Sequence, residues 1–282
     1  MSLAVSHLCS ETLEPSRTYL REVKNNRHLR YYFWRCPNVS LPDPGRILVV
    51  VHGVGRDARN QIEQFKGVAR RFGYSLLAPI FDEYSYPDYQ RLGRTGLGGR
   101  ADDAMKIIID DLFHQHRELT IQYKLDFFGY SGGGQFVHRF VFANPEWVRR
   151  YVITAPGWFT LPDPQQRFPY GTRATKRLPG AFFNLREIFK IPYLVTVGSL
   201  DTNRDENFRT REKIDLAQGT TRLERARTWH RKMKKASRKL TGKKSVGRIQ
   251  ILADVEHDFE QAIQVGKLDE RVFKFLTRNI GC

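Results

Sequence analysis

The sequence predicts an α/β fold, a mostly parallel central sheet flanked by helices and carrying a small loop-rich cap. Three observations predict it. Short, β-rich apolar runs recur along the chain, and helical stretches fall between them. Most of the runs are continuously apolar rather than alternating, as strands buried on both faces must be. The chain has 282 residues, 40% of them apolar, which suffices for one large core. No repeat, low-complexity tract or composition break divides it, so residues 1–282 read as a single domain.

The elements follow in order. Tyr31–Trp34 reads as an early strand at an antiparallel edge. Ile47–Val51, Ser75–Ile80, Leu125–Phe128, Tyr151–Thr154, Tyr193–Val197 and Ile249–Leu252 read as the buried strands. Helices are expected over Asn60–Phe72, over Arg100–His114 after the turn Gly93 to Gly99, over Gly133–Phe142 and over Asp269–Asn279. The third ends near Asn144-Pro145, as proline requires. Two segments break the alternation. Residues 158–190 are rich in Pro, Phe and Gly and read as a cap or loop near the strand ends, where binding residues gather. Residues 205–240 look helical. In them Leu223, Ala226, Trp229, Met233, Ala236 and Leu240 step by three or four and share one face. That face should pack on the sheet and leave the Lys and Arg residues between to water.

Charge is the unusual feature of the composition. The net charge is +17, and the segment Arg204 to Arg248 holds sixteen Lys/Arg against five Asp/Glu, a surplus of eleven. Such a segment can attract nucleic acid, anionic lipid or an acidic substrate. Its apolar stripe favours the reading of a solvated helix face, with neither a nucleic-acid nor a membrane partner. No run approaches the ~18 apolar residues of a membrane-spanning helix. Residues 1–7, Met-Ser-Leu-Ala-Val-Ser-His, lack the basic-then-apolar order of a secretory leader, which gives a cytoplasmic expectation. The three cysteines, Cys9, Cys36 and Cys282, lie far apart and read as reduced thiols, with a single disulfide left open.

Chemistry concentrates at Gly129-Tyr130-Ser131-Gly132-Gly133. This Gly-x-Ser-x-Gly pattern lies between an apolar strand and a helix. A serine on a tight, strained strand-to-helix turn projects its Oγ above the sheet, and only small residues fit two places before and after it. The helix N-terminus then faces developing negative charge. Earlier, Ile47–Val51 runs into His52-Gly53-Val54-Gly55, a loop suited to presenting a backbone N–H to an oxyanion. Val54 and Gly132 are the expected donors, with Gly55 as the alternative to Val54. His52 precedes the nucleophile and reads as a loop-stabilising residue.

The chain order of this arrangement is Ser, then Asp or Glu, then His. Asp201 follows the strand Tyr193–Val197, and Asp205 competes with it, with helix capping as its other role. His257 follows the last strand, before the final helix, whereas His230 lies within the basic helix. Ser131, Asp201 and His257 are therefore the expected nucleophile, acid and base. Tyr84, Tyr86, Trp158 and Phe182 follow strands or sit in the Pro-rich segment, and are the candidate substrate-binding aromatics. Gly93–Gly99 lacks the Lys-Ser/Thr ending of a phosphate loop and an unbroken dinucleotide fingerprint. Neither a cofactor nor a metal is expected.

These residues resemble the α/β-hydrolase superfamily, and within it bacterial esterases related to poly(3-hydroxybutyrate) depolymerases and feruloyl esterases. The matching blocks are His52-Gly53-Val54-Gly55-Arg56-Asp57, Gly129–Gly133, Gly198-Ser199-Leu200-Asp201-Thr202 and His257-Asp258-Phe259. Softer matches are Ala155-Pro156-Gly157-Trp158, and Gln218-Gly219 followed by Arg222-Leu223-Glu224-Arg225. The resemblance implies hydrolysis of a carboxylic ester without a cofactor. Polymer depolymerases of this kind usually carry a leader and an extra binding module, for which the sequence gives no sign. A small soluble ester, a short oligomer or a phenolic ester is the expected substrate.

Overall fold

The computed structural model describes residues 14–24, 26–39, 46–116, 119, 122 and 124–278. Residues 1–7, Cys9, Asn279 and Cys282 lie outside them.

Eight strands form one sheet in the order β1-β2-β4-β3-β5-β6-β7-β8. They are β1 (Thr18–Val23), β2 (Asn26–Trp34), β3 (Arg46–Val51), β4 (Tyr74–Ile80), β5 (Leu125–Tyr130), β6 (Val148–Thr154), β7 (Tyr193–Gly198) and β8 (Gly247–Leu252). β1 and β2 pair antiparallel, as do β2 and β4, and every later pairing is parallel. The antiparallel strand expected at Tyr31–Trp34 is thus longer and lies one place in from the edge. The edge strand β1 was not anticipated, because Thr18–Val23 carries Arg21 and Glu22 and has no apolar run. Charge on an edge strand discourages pairing with another chain.

The helices are α1 (Ala58–Phe72), α2 (Ala101–Gln115), α3 (Gly132–Ala143), α4 (Leu185–Ile188), α5 (Glu212–Gln218), α6 (Arg222–Thr241), α7 (Phe259–Gln264) and α8 (Leu268–Thr277). One sheet face packs against α1 and α8, around Phe65, Phe128 and Phe273. The other packs against α2, α3 and α6, around Phe127, Phe140 and Trp229. Burial on both faces explains why β3 to β7 are mostly apolar without a strict alternation. Among the described residues no helix is long and apolar enough to cross a membrane. Cys36 is a buried free thiol.

The basic segment differs from its expectation in two ways. It is not one helix: α5 and α6 are separated at Gly219, whose φ of +117° a side chain would strain. A capping box then starts α6, with Thr221 accepting from the Glu224 N–H. The apolar stripe packs inward through Ala226, Trp229 and Met233 as expected. However, Arg222 and Arg225 do not point to water. Both are buried, Arg222 against Asp201 and Asp205 and Arg225 against Asp215. A helical period marks which face is turned inward, but not that a cation on its margin will find a buried carboxylate. Residues 158–190 are largely irregular, and Trp158 to Leu161 are buried against the body.

Candidate active site

Ser131 sits between β5 and α3 with φ +51° and ψ −113°, a backbone conformation rare for any residue with a side chain. Its N–H bonds the Thr154 carbonyl at 2.8 Å. A Cβ on Gly129 would overlap the Gly133 carbonyl, and one on Gly133 would overlap the Val51 carbonyl oxygen. The two outer glycines are therefore demanded by backbone contact, and the strain at Ser131 is held in place from both strands beside it.

His257 Nε2 lies 3.1 Å from Ser131 Oγ, and its Nδ1 lies 2.9 Å from Asp201 Oδ2. The loops carrying Asp201 and His257 are tied together. Ser199 N–H donates to Leu252 O at 2.8 Å, Leu200 N–H to Val255 O at 3.0 Å, and Asp254 N–H to Ser199 Oγ at 3.0 Å. A Cβ on Gly198 would overlap the Val255 carbonyl, so this crossing also needs glycine. Tyr130 stacks on the His257 ring, with centroids 5.4 Å apart. Asp258 caps α7 through the Gln261 N–H.

Asp201 is buried, and it is Asp201 rather than Asp205 that meets His257 Nδ1. Arg222 stands between them, with Nη1 3.4 Å from Asp201 Oδ1 and Nη2 2.6 Å from Asp205 Oδ2. The Arg222 contact holds the Asp205 carboxyl below the usual carboxylate range against the opposing effect of burial. Arg222 Nη1 also donates to the Asn203 carbonyl at 3.2 Å. Sequence reasoning missed this arginine, because the soft match at Arg222 named the block and not the contact.

The loop after β3 completes the arrangement. As the first residue of α3, Gly132 has an N–H with no intrahelical acceptor. A Cβ on it would meet Val54 Cγ1 at 3.1 Å and Gln90 Nε2 at 3.2 Å, so Val54 and Gln90 both border it. His52 lies under the loop. It accepts the Phe81 N–H at Nε2 (3.1 Å) and faces the Gly53 carbonyl with Nδ1 (2.9 Å), which assigns a neutral ring protonated at Nδ1.

The aromatic candidates fare differently. Tyr84 is 94% exposed and borders Arg27, His28 and Arg30, on the outer flank beside β2. Phe182 is 75% exposed and lines a groove with Lys124 and Val148, at the strand ends opposite Ser131. Tyr86 is buried, edge-on to Phe81 and packed against Gly99. Trp158 follows Gly157 close to Gln135, but is only 3% exposed, with Arg139 stacked at 4.2 Å and Tyr170 at 5.5 Å. None of the four therefore offers an open ring beside Ser131. A residue just past a strand leaves from the right end of the sheet, but the loop decides where it goes.

No family model matches the sequence, and no curated protein matches it either. Solved structures do. Poly(aspartic acid) hydrolase-1 from Sphingomonas sp. KT-1 superposes with a TM-score of 0.76 at 21% identity, over 94% of this chain and 100% of that one. The poly(3-hydroxybutyrate) depolymerase LpqC from Bordetella parapertussis gives 0.70 at 21% identity, over 92% and 87%. A fluorophosphonate-binding serine hydrolase of Staphylococcus aureus gives 0.58 at 10% identity, over 94% and 100%. Together with the strand order, these likenesses give the chain the α/β-hydrolase fold.

Proposed function

We propose that this protein is a serine hydrolase that cleaves carboxylic esters through an acyl-enzyme. The observation that carries the reading is His257 bridging Ser131 Oγ at 3.1 Å and Asp201 Oδ2 at 2.9 Å. That is the relation of nucleophile, base and orienting acid. His257 Nε2 takes the Ser131 proton as Oγ attacks the carbonyl carbon. The Val54 and Gly132 N–H groups donate to the oxyanion. Asp201 accepts from Nδ1–H and so keeps Nε2 free to act. His257 then gives its proton to the leaving alkoxide as the C–O bond breaks. Water, deprotonated by the same nitrogen, attacks the acyl-enzyme, releasing the acid and restoring Ser131. The names of the structural neighbours, two polymer hydrolases and a serine hydrolase, favour the same class.

The test is labelling with a fluorophosphonate probe beside hydrolysis of a panel of 4-nitrophenyl esters and amides. Labelling and ester turnover should both vanish in Ser131→Ala. Unchanged turnover in that variant would refute the reading. Turnover of amides but not esters would move the activity to another acyl transfer on the same three residues.

A further inference from the structure

Arg139 lies on α3, two turns past Ser131, and its side chain is fully buried. Side chains on a helix lean toward its N-terminus, and this one reaches back to the level of Gln135. There Nη1 donates to the Gln135 carbonyl at 3.3 Å and to Gln135 Oε1 at 3.2 Å. Nη1 also donates to the Gln90 carbonyl at 2.7 Å, and Nε to Thr160 Oγ1 at 3.0 Å. The remaining nitrogen, Nη2, is buried with no acceptor among the described residues. Every acceptor Arg139 has among the described residues is neutral.

Its surroundings add positive charge. Arg209 faces the Trp158 ring that Arg139 covers, at 5.9 Å, and its Nε is likewise buried without an acceptor. Arg91 and Arg209 press on Arg139 electrostatically, and Asp88 opposes them. Asp88 is already engaged by Arg91 (Nε to Oδ1, 2.5 Å) and by Arg94 (3.5 Å). A buried guanidinium without a carboxylate is costly, and the stacking on Trp158 offsets part of that cost. Nη2, the nitrogen left open, can donate a charge-assisted hydrogen bond to an anion.

The place matters as much as the charge. Gln135 N–H bonds the Ser131 carbonyl at 3.0 Å, so Gln135, whose carbonyl and side chain accept from Arg139, stands one helical turn, about 5.4 Å of rise, past Ser131. Gln90 spans the gap, with its carbonyl on Arg139 and its amide beside Gly132. Arg91 and Arg209 are half-exposed and form the solvent side of the cluster.

We propose that Arg139, with Arg209 and Arg91, forms a carboxylate subsite, and that the substrate carries a carboxylate a few bonds from the scissile carbonyl. This rests on Ser131 being the nucleophile. The subsite makes the hydrolase one of half-esters or of an acidic oligomer, and it gives the basic balance of the chain a use beside the reacting centre.

The experiment compares matched ester pairs. On the acyl side, the 4-nitrophenyl half-ester of glutarate is set against 4-nitrophenyl pentanoate. On the alcohol side, the acetate ester of 4-hydroxybutanoate is set against butyl acetate. Wild-type kcat/KM should favour the carboxylate member at least tenfold in one pair, and added KCl should weaken the preference. The ratio should fall toward one in Arg209→Gln and in Arg139→Met. Arg139→Lys should keep only part of it, since one ammonium cannot hold the Gln90, Gln135 and Thr160 contacts and also present a donor where Nη2 lies. Arg209→Gln is half-exposed and keeps the test alive if the Arg139 variants do not fold. Turnover of neutral esters with no preference in either pair, or a preference that Arg209→Gln and every folded Arg139 variant retain, overturns the subsite and leaves the hydrolase reading standing. No turnover of any ester and no fluorophosphonate label instead overturns the hydrolase reading. Calorimetric titration with glutarate then tests the subsite alone, which survives only if wild type binds and Arg209→Gln binds at least tenfold more weakly.

Discussion

On the proposed mechanism Ser131, His257 and Asp201 act as a unit, so their removal should not be additive. Ser131→Ala and His257→Ala should each lower kcat by ~10⁴-fold or more, with Asp201→Asn retaining somewhat more. Parallel rates of probe labelling and ester turnover would check this. On the same mechanism Arg222 is a positioning residue, since it touches Asp201 and Asp205 but not the reacting atoms. A hydrogen bond to a charged group contributes about 1.5–3 kcal/mol, so Arg222→Met should lower kcat by about 10- to 100-fold. KM should stay within a few-fold, and Arg222→Lys should recover part of the loss. An equal rise in KM with unchanged kcat would show that Arg222 serves substrate binding instead. At this scale the sequence was legible wherever the constraint is local. The elbow confines its requirements to five consecutive residues, and His257 is the one histidine on the loop after the last strand. Arg139 and Arg222 were not legible, because their partners Gln90, Thr160, Asp201 and Asp205 come from other loops. The aromatic candidates do not open beside Ser131 for the same reason: position after a strand says nothing of the loop's path.

α6 separates packing from charge along one element. Trp229 is fully buried, stacks on Phe159 with centroids 5.1 Å apart, and donates Nε1–H to the Thr160 carbonyl at 2.9 Å. Trp229→Ala should therefore destabilise the protein by about 3–5 kcal/mol, read by chemical denaturation. Lys232, Lys234, Lys235 and Lys239 lie outside the buried stripe. Replacing all four with Gln should leave kcat on neutral esters within a few-fold. A large loss of turnover at unchanged melting temperature would assign those charges to the substrate. The helix was legible in its apolar period, whereas its break at Gly219 and the buried Arg222 and Arg225 were not. Periodicity reports one face of a helix, and the margin of that face is decided by what the sheet brings next to it. The edge strand β1 escaped for a related reason: an edge strand does not need two apolar faces.

Across the whole molecule, buried neutral histidines tie stability to pH. His52 is pushed down to about 4, chiefly by burial, with Arg56 adding and the Gly53 carbonyl and Asp57 opposing. His230, which Tyr193 Oη meets at 3.2 Å, is lowered to about 4 by burial and then by Lys234. His138 is pushed well down by burial and then by Arg139. It accepts the Thr160 N–H at Nε2, as His52 accepts that of Phe81. The unfolded chain takes up these protons near pH 6.5, before the folded protein does, so acid favours unfolding. Their contribution is intact above about pH 6.5 and drains away as pH falls toward 4, on the order of 3 kcal/mol each for His52 and His230. Asp126 works in the opposite sense. Burial raises it to about 6 against the pull of Arg149, so acid favours its folded, protonated form. Burial raises the Asp110 and Asp269 carboxyls in the same sense, and the three buried histidines outweigh these carboxyls together. Asp205, Asp215 and Glu224 are lowered, and they withdraw further stability at the acid end of the range. The melting temperature should therefore hold from pH 8 to 7 and fall steadily from pH 6.5 to 4, at constant ionic strength, by circular dichroism. His230→Gln should be less stable at pH 7 yet lose less on acidification, because the group that titrates is gone while Tyr193 keeps an acceptor. A melting temperature that stays level from pH 7 to 4.5, or a His230→Gln profile parallel to wild type, would rule out these histidines as the source of acid sensitivity.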